Sequence, residues 1–98
     1  MTVYCGLIKG RHRLPDFVVD FVFDSDIPQE HICDAAYLDE ICEAFLEDHA
    51  DGDTLCVFVT GFTPAMLALV KACAKRRMHL GAMNFDRERK IYWYQEVI

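Results

Sequence analysis

From Leu55 to Met66 the chain reads L-C-V-F-V-T-G-F-T-P-A-M, and this run restricts the possible folds more than any other. Continuous apolar character over Leu55–Val59 marks a strand covered on both faces, as in a parallel sheet. Gly61 permits a backbone turn that a side chain would obstruct. Thr63 is placed to cap a helix and Pro64 to open it, where the missing N–H costs nothing. A strand–turn–helix of this kind directs unpaired N–H groups out of the carboxyl edge of a sheet, where α/β proteins hold anionic ligands. A phosphate-bearing ligand is therefore the first functional expectation.

A chain of 98 residues has room for one core, so a single domain spanning 1–98 is expected. No run reaches the ~18 apolar residues of a membrane span and the N-terminus carries no secretory pattern, which predicts a cytoplasmic protein. The five cysteines (Cys5, Cys33, Cys42, Cys56 and Cys73) lie in apolar periodic segments without a C-x-x-C. They read as reduced core residues rather than zinc ligands or a redox pair. Charge is segregated: no Lys or Arg lies between Leu14 and Val70, a span holding thirteen Asp and Glu. Lys9, Arg11 and Arg13 precede it, and Lys71, Lys75, Arg76, Arg77, Arg87, Arg89 and Lys90 follow. That distribution, with a net charge of −6, argues against binding duplex DNA through a broad basic surface. A small polyanion in a local pocket is compatible with it.

Thr2 to Lys9 is predicted as a strand, ended by the Gly10–Arg13 turn. Asp16 to Asp24 alternates, with Phe17, Val19, Phe21 and Phe23 on one face, so a second strand forming a hairpin with the first is expected. Asp26 is placed to cap a helix with Gln29 at the capping-box position. Helix then continues to about Ala50, with a break near Asp34 and an apolar stripe of Ile32, Ala35, Leu38, Cys42, Phe45 and Leu46. The second helix, Pro64 to Arg77, is apolar nearly all round in its first half, which predicts cover by another subunit and hence a homodimer. Met78 to Phe85 is the next strand, parallel to Leu55–Val59 through the helical crossover. Asp86–Arg89 turns the chain into a last antiparallel strand, Ile91 to Ile98. The expected class is α/β, a small mixed sheet in the order β-β-α-β-α-β-β.

Two constellations carry candidate chemistry. The turn Thr60-Gly61-Phe62-Thr63 is a candidate anion cradle, but no G-K-[ST] or G-x-G-x-x-G accompanies it, so triphosphate hydrolysis is not supported. An ordinary β–α connection explains it equally well. At the carboxyl end of the next strand, Asp86, Arg87 and Arg89 can bind a phosphodiester, hold a divalent ion or orient a nucleophile. A charged hairpin turn, in which Asp bonds its own backbone, is the structural alternative. His79 starts the strand that Asp86 ends, roughly 20 Å away, so the two share no site within one subunit. The cluster His49-Ala50-Asp51-Gly52-Asp53 reads as a helix-ending loop, and His12 and His31 read as surface residues. The only serine, Ser25, has no nucleophile-elbow context.

These segments resemble the small single-domain CRISPR-associated ring nucleases and the CARF domains that sense cyclic oligoadenylate. The resemblance rests on Phe17–Glu30 (strand, proline-containing turn, helix), Val57–Met66 (strand, glycine–proline turn, helix), and Phe85-Asp86 with Ile91–Val97. The Thr60–Pro64 turn is similar to the Thr-Gly turn of CARF domains. The resemblance implies a dimeric Rossmann-like, CARF-like domain, or stacked dimers, binding cyclic tetra-adenylate across the subunit interface at the strand carboxyl ends. It also implies an antiviral role in type III CRISPR signalling, with ring opening by in-line attack of a ribose 2′-OH and manganese used by part of the family. On this sequence Gly61 and Thr63 would cradle a phosphate, with Thr60, Phe62, Arg87 and Arg89 beside them. Asp86 would be the catalytic carboxylate and metal ligand. Where the family has a histidine before that strand, this chain has Arg76-Arg77, so Arg77 takes the catalytic position. Arginine neutralises a phosphate but stays protonated and is a poor base, so binding is better supported than turnover. The competing expectation is a non-catalytic interaction protein, such as a phage-encoded inhibitor, acting through the acidic span.

Overall fold

The computed structural model describes residues 1–49 and 52–98. Five strands form one sheet: β1 (Thr2–Ile8), β2 (Phe21–Phe23), β3 (Thr54–Phe58), β4 (His79–Asp86) and β5 (Ile91–Glu96). Two helices, α1 (Ala35–Leu46) and α2 (Thr63–Lys75), and a short 3-10 turn over Gln29–His31 complete the order. The sheet runs β2-β1-β3-β4-β5, with β1–β2, β1–β3 and β3–β4 parallel and β4–β5 antiparallel. The predicted α/β class and element order hold, as do the parallel β3–α2–β4 unit and the terminal hairpin.

The expected hairpin between the first two strands is corrected. β1 and β2 are parallel neighbours, Gly6 opposite Phe21 and Ile8 opposite Phe23. Alternation reports which face a side chain takes and is silent on strand direction. Only three of the alternating residues pair. Residues 9–20 form a strap instead, returning the chain across the sheet without a helix, and Phe17 leaves the ladder to pack edge-on against Tyr4 and Phe58.

Both helices cover one face. Cys5, Leu7, Leu55, Val57, Leu80 and Ala82 meet Leu38, Cys42 and Leu46 of α1, and Ala65, Ala68, Leu69, Ala72 and Cys73 of α2. The sheet and α1 cover most of α2 and leave Leu67 63% exposed, so of the all-round apolarity that predicts a homodimer only this side of the helix stays uncovered. Four cysteines are buried as expected, whereas Cys33 is exposed because it falls in the turn before α1 and not on its apolar stripe. The other sheet face carries Tyr4, Phe58, Phe85, Tyr92 and Tyr94, with Phe58–Tyr92 and Phe85–Tyr92 in ring contact. Two glycines on that face leave slots for neighbouring rings: Phe21 lies over Gly6, and Tyr94 over Gly81.

Helix ends differ from expectation in instructive ways. Asp34, not Asp26, caps α1, accepting from the Tyr37 N–H at 3.1 Å. The expected end near Ala50 lies outside the described residues. At α2, Phe62 occupies the cap position with a left-handed backbone (φ 64°) and Thr63 is already helical, with no side-chain cap. The other end of α2 closes through Arg77, also left-handed (φ 57°). Met78 N donates to Cys73 O and Arg77 N to Ala74 O, the paired bonds of a Schellman motif.

Candidate functional site

The carboxyl ends of β1 and β3 diverge here, since β1 leads outward to β2 and β3 leads to β4. Such a switch point is where open α/β sheets form a crevice. Regular β1–β3 pairing ends at Gly6–Phe58. Beyond it the Thr60 hydroxyl takes over, accepting from Ile8 N at 3.1 Å and donating to Ile8 O at 3.2 Å. Thr60 is 1% exposed. It is a clip between two strands, and its hydroxyl is engaged with the backbone rather than offered to a ligand.

A cavity of about 650 Å³ opens beside this clip, within the ~300–1,000 Å³ typical of small-ligand sites. Val59 and Thr60 form one wall, and Asn84 and Phe85 at the end of β4 form another. Tyr92 of β5 and Arg87 of the hairpin turn close one side. The strap supplies His12, Arg13, Leu14 and Pro15 on the other. Two aromatic rings, an amide, an imidazole and two guanidiniums therefore surround one space, and among the described residues no carboxylate lines it. Among the described residues neither Arg13 nor Arg87 has a carboxylate within ion-pair distance, although the chain holds sixteen Asp and Glu.

The other predicted site residues are placed differently. Gly61 (φ 62°) and Phe62 form the left-handed turn into α2, and Arg11 lies over the Phe62 ring at 5.8 Å. That guanidinium is held by Asp26, with Nη2 to Oδ1 at 2.7 Å. The Arg11 hydrogen bond, and after it the Ile27 N–H, holds the Asp26 carboxyl below its usual range. The expected cradle of Gly61 and Thr63 is thus flanked by a cation already paired. Asp86 is turned into the hairpin, its Oδ1 accepting from Glu88 N at 3.0 Å and Arg89 N at 3.3 Å. Arg89 Nε lies 3.8 Å from Asp86 Oδ2. The expected catalytic and metal-binding role of Asp86 meets a carboxylate engaged in holding a turn. No group of three or more metal-ligating side chains forms among the described residues. Arg77 sits at the far end of α2, roughly 20 Å along the helix from Thr63, beside the start of β4. Within one chain it is at the opposite sheet edge from Asp86.

Arg87 is thus the one predicted ligand residue that reaches the cavity with a cation to offer. His12 and Arg13 lie far from β4 in the chain, so no local pattern joins them to it, and His12 has the sequence context of a surface residue. The available signal was the basic run Lys9–Arg13 directly after a strand whose carboxyl end shares an edge with β3 and β4. A few acids of the acidic span are paired internally, Lys71 with Asp39 at 2.7 Å and Arg76 Nε with Glu43 at 3.6 Å. No family model, curated protein or solved structure matches the chain. No helix among the described residues is long and apolar enough to cross a membrane.

Proposed function

We propose that this domain binds an anionic, base-bearing ligand of the nucleotide class at the carboxyl edge of its sheet. Cyclic tetra-adenylate is the specific candidate. The observation that carries the reading is the cavity's composition: His12, Arg13 and Arg87 with no carboxylate among the described residues, next to the rings of Phe85 and Tyr92. Guanidiniums bind phosphate oxygens with two parallel donors, and aromatic faces stack bases at about 1–3 kcal/mol each. The volume suits roughly one or two nucleotide units, so a four-membered ring would project beyond one cavity toward the exposed aromatic face or a second subunit. In this reading the fold is a Rossmann-like, CARF-like sheet holding its ligand over the strand ends, and the protein takes part in type III CRISPR signalling.

Binding is the part the geometry supports. Ring opening by a ribose 2′-OH needs in-line orientation and charge stabilisation more than a protein nucleophile. Arg13 and Arg87 are the groups able to stabilise the phosphorane, and His12 is the only imidazole beside them. Asp86 and Arg77 have no part in this version, and manganese is assigned no ligand set.

Calorimetry with cyclic tetra-adenylate, linear tetra-adenylate and inorganic phosphate tests the reading. Micromolar binding of the cyclic ligand is expected, lost by tenfold or more in an Arg13→Glu/Arg87→Glu variant that keeps its circular dichroism. Absence of binding at about 100 µM of each ligand would refute it, as would affinity indifferent to both arginines.

A further inference from the structure

The outer edge of β5 has the features of a pairing surface. Val59 N donates to Met83 O, so Met83, with Gly81 and Phe85, turns its backbone polar groups toward β3. By alternation, Ala82, Asn84 and Asp86 turn theirs toward β5. Their register partners are Gln95, Trp93 and Ile91, whose N–H and C=O groups therefore point inward. Those of Tyr92, Tyr94 and Glu96 point outward from a strand that is the edge of the sheet.

Natural edge strands are blunted by brevity, proline, bulges or inward charges. β5 is six residues long with the sequence IYWYQE, and its apolar side chains are half exposed on both faces. Ile91 and Trp93 lie 47% and 48% exposed on the helix side, beyond the reach of α2, and Tyr94 lies 54% exposed on the other face. Charge at the two ends is opposite in sign: Lys90 precedes the strand, beside an Arg89 that is paired with Asp86, and Glu96 ends it.

We propose that β5 pairs with β5 of a second copy of this chain, antiparallel about a twofold axis through Trp93, giving a continuous ten-stranded sheet. The outward groups of Tyr92 then bond those of the partner's Tyr94, and the reverse. Trp93 faces the partner's Trp93 at a non-hydrogen-bonded position, where Cα atoms approach to about 4.5 Å and side chains are closest. Lys90 comes abreast of the partner's Glu96 at each end. This charge complementarity selects a second copy over an unrelated strand, because the edge is complementary to itself when reversed. An interface this short belongs to the small, weak class, so the dimer is micromolar. The pairing is independent of the ligand reading.

Sedimentation of the full chain at roughly 100 µM is expected to show a dimer in the weak-association range. Trp93→Lys should raise the dimer dissociation constant by at least tenfold, and Glu96→Lys should do so severalfold by placing like charges abreast. The double variant Lys90→Glu/Glu96→Lys should restore association, which a general loss of folding would not. Leu67→Lys, on the exposed side of α2, should leave the dimer intact. A monomer throughout this range would overturn the proposal. So would a dimer that resists Trp93→Lys but dissociates in Leu67→Lys, or a double variant no better than Glu96→Lys alone.

Discussion

Replacing Thr60 by valine exchanges a hydroxyl for a methyl of nearly the same volume, so packing is preserved and the two bonds to Ile8 are removed. Each such bond contributes a net ~1 kcal/mol. The Ile8 N–H and C=O sit in a buried residue, and leaving each without a partner costs about 1–3 kcal/mol. The two descriptions overlap, so about 2–4 kcal/mol is expected in total. Unfolding entropy near ~2.1 cal/mol/K per residue gives a domain of this size about 5 °C per kcal/mol, so Thr60→Val should lower Tm by roughly 10–20 °C. Thr60→Ser keeps the hydroxyl and loses only a buried methyl, ~1 kcal/mol or about 5 °C. Differential scanning calorimetry and urea titration of the three proteins measure the difference. Thr60→Val at least as stable as Thr60→Ser would refute the clip. A valine variant with unchanged Tm and tenfold weaker nucleotide binding would return the hydroxyl to the ligand.

Arg77 occupies a left-handed position that glycine adopts without strain. The left-handed cost of ~1–2 kcal/mol exceeds the extra chain entropy of glycine, so Arg77→Gly should be neutral to stabilising by up to ~1 kcal/mol. Nucleotide affinity should be unchanged, as calorimetry can show. Burial pushes the thiols of Cys42 and Cys73 up to about 12 and about 11, and raises those of Cys5 and Cys56. Native protein should therefore release one equivalent of dye from a disulfide reagent, through Cys33, and five after denaturation. The Tyr37 N–H and then His31 hold the Asp34 carboxyl below the usual carboxylate range. A depressed folded value means the stabilisation is present above the unfolded value and is lost as pH falls through the folded one. Asp34→Asn keeps an acceptor that does not titrate, so the stability gap between it and the parent should narrow as pH falls through the depressed folded value.

The β3–α2–β4 unit was legible because its signals are local: a continuous apolar strand, a proline-opened helix and a crossover length that allows little else. The β4–β5 hairpin was legible for a similar reason, since Asp86 performs in the structure the turn role that aspartate chemistry gives it. The relative direction of β1 and β2 is not legible, because alternation over Asp16–Asp24 carries no sign and because Pro15 and Phe17 belong to a strap that imitates a strand. The cavity was half legible. Sheet topology brings Arg87 near the end of β3, but His12 and Arg13 arrive through the strap, and no spacing rule links residue 12 to residue 87. Thr60 lines the cavity while its hydroxyl bonds Ile8, because hydroxyls at strand ends satisfy backbone as readily as phosphate.

Gly6 and Gly81 give the aromatic face an evolutionary signature. Each leaves a slot that a neighbouring strand fills with a ring, Phe21 in one case and Tyr94 in the other. A side chain at either glycine would lift its ring off the sheet, so neither position can drift alone. In divergent copies of this domain, loss of the glycine at 81 should accompany a small residue at 94, and the same should hold for 6 and 21. Such paired exchange would show that the paving is inherited as couples, strand to strand.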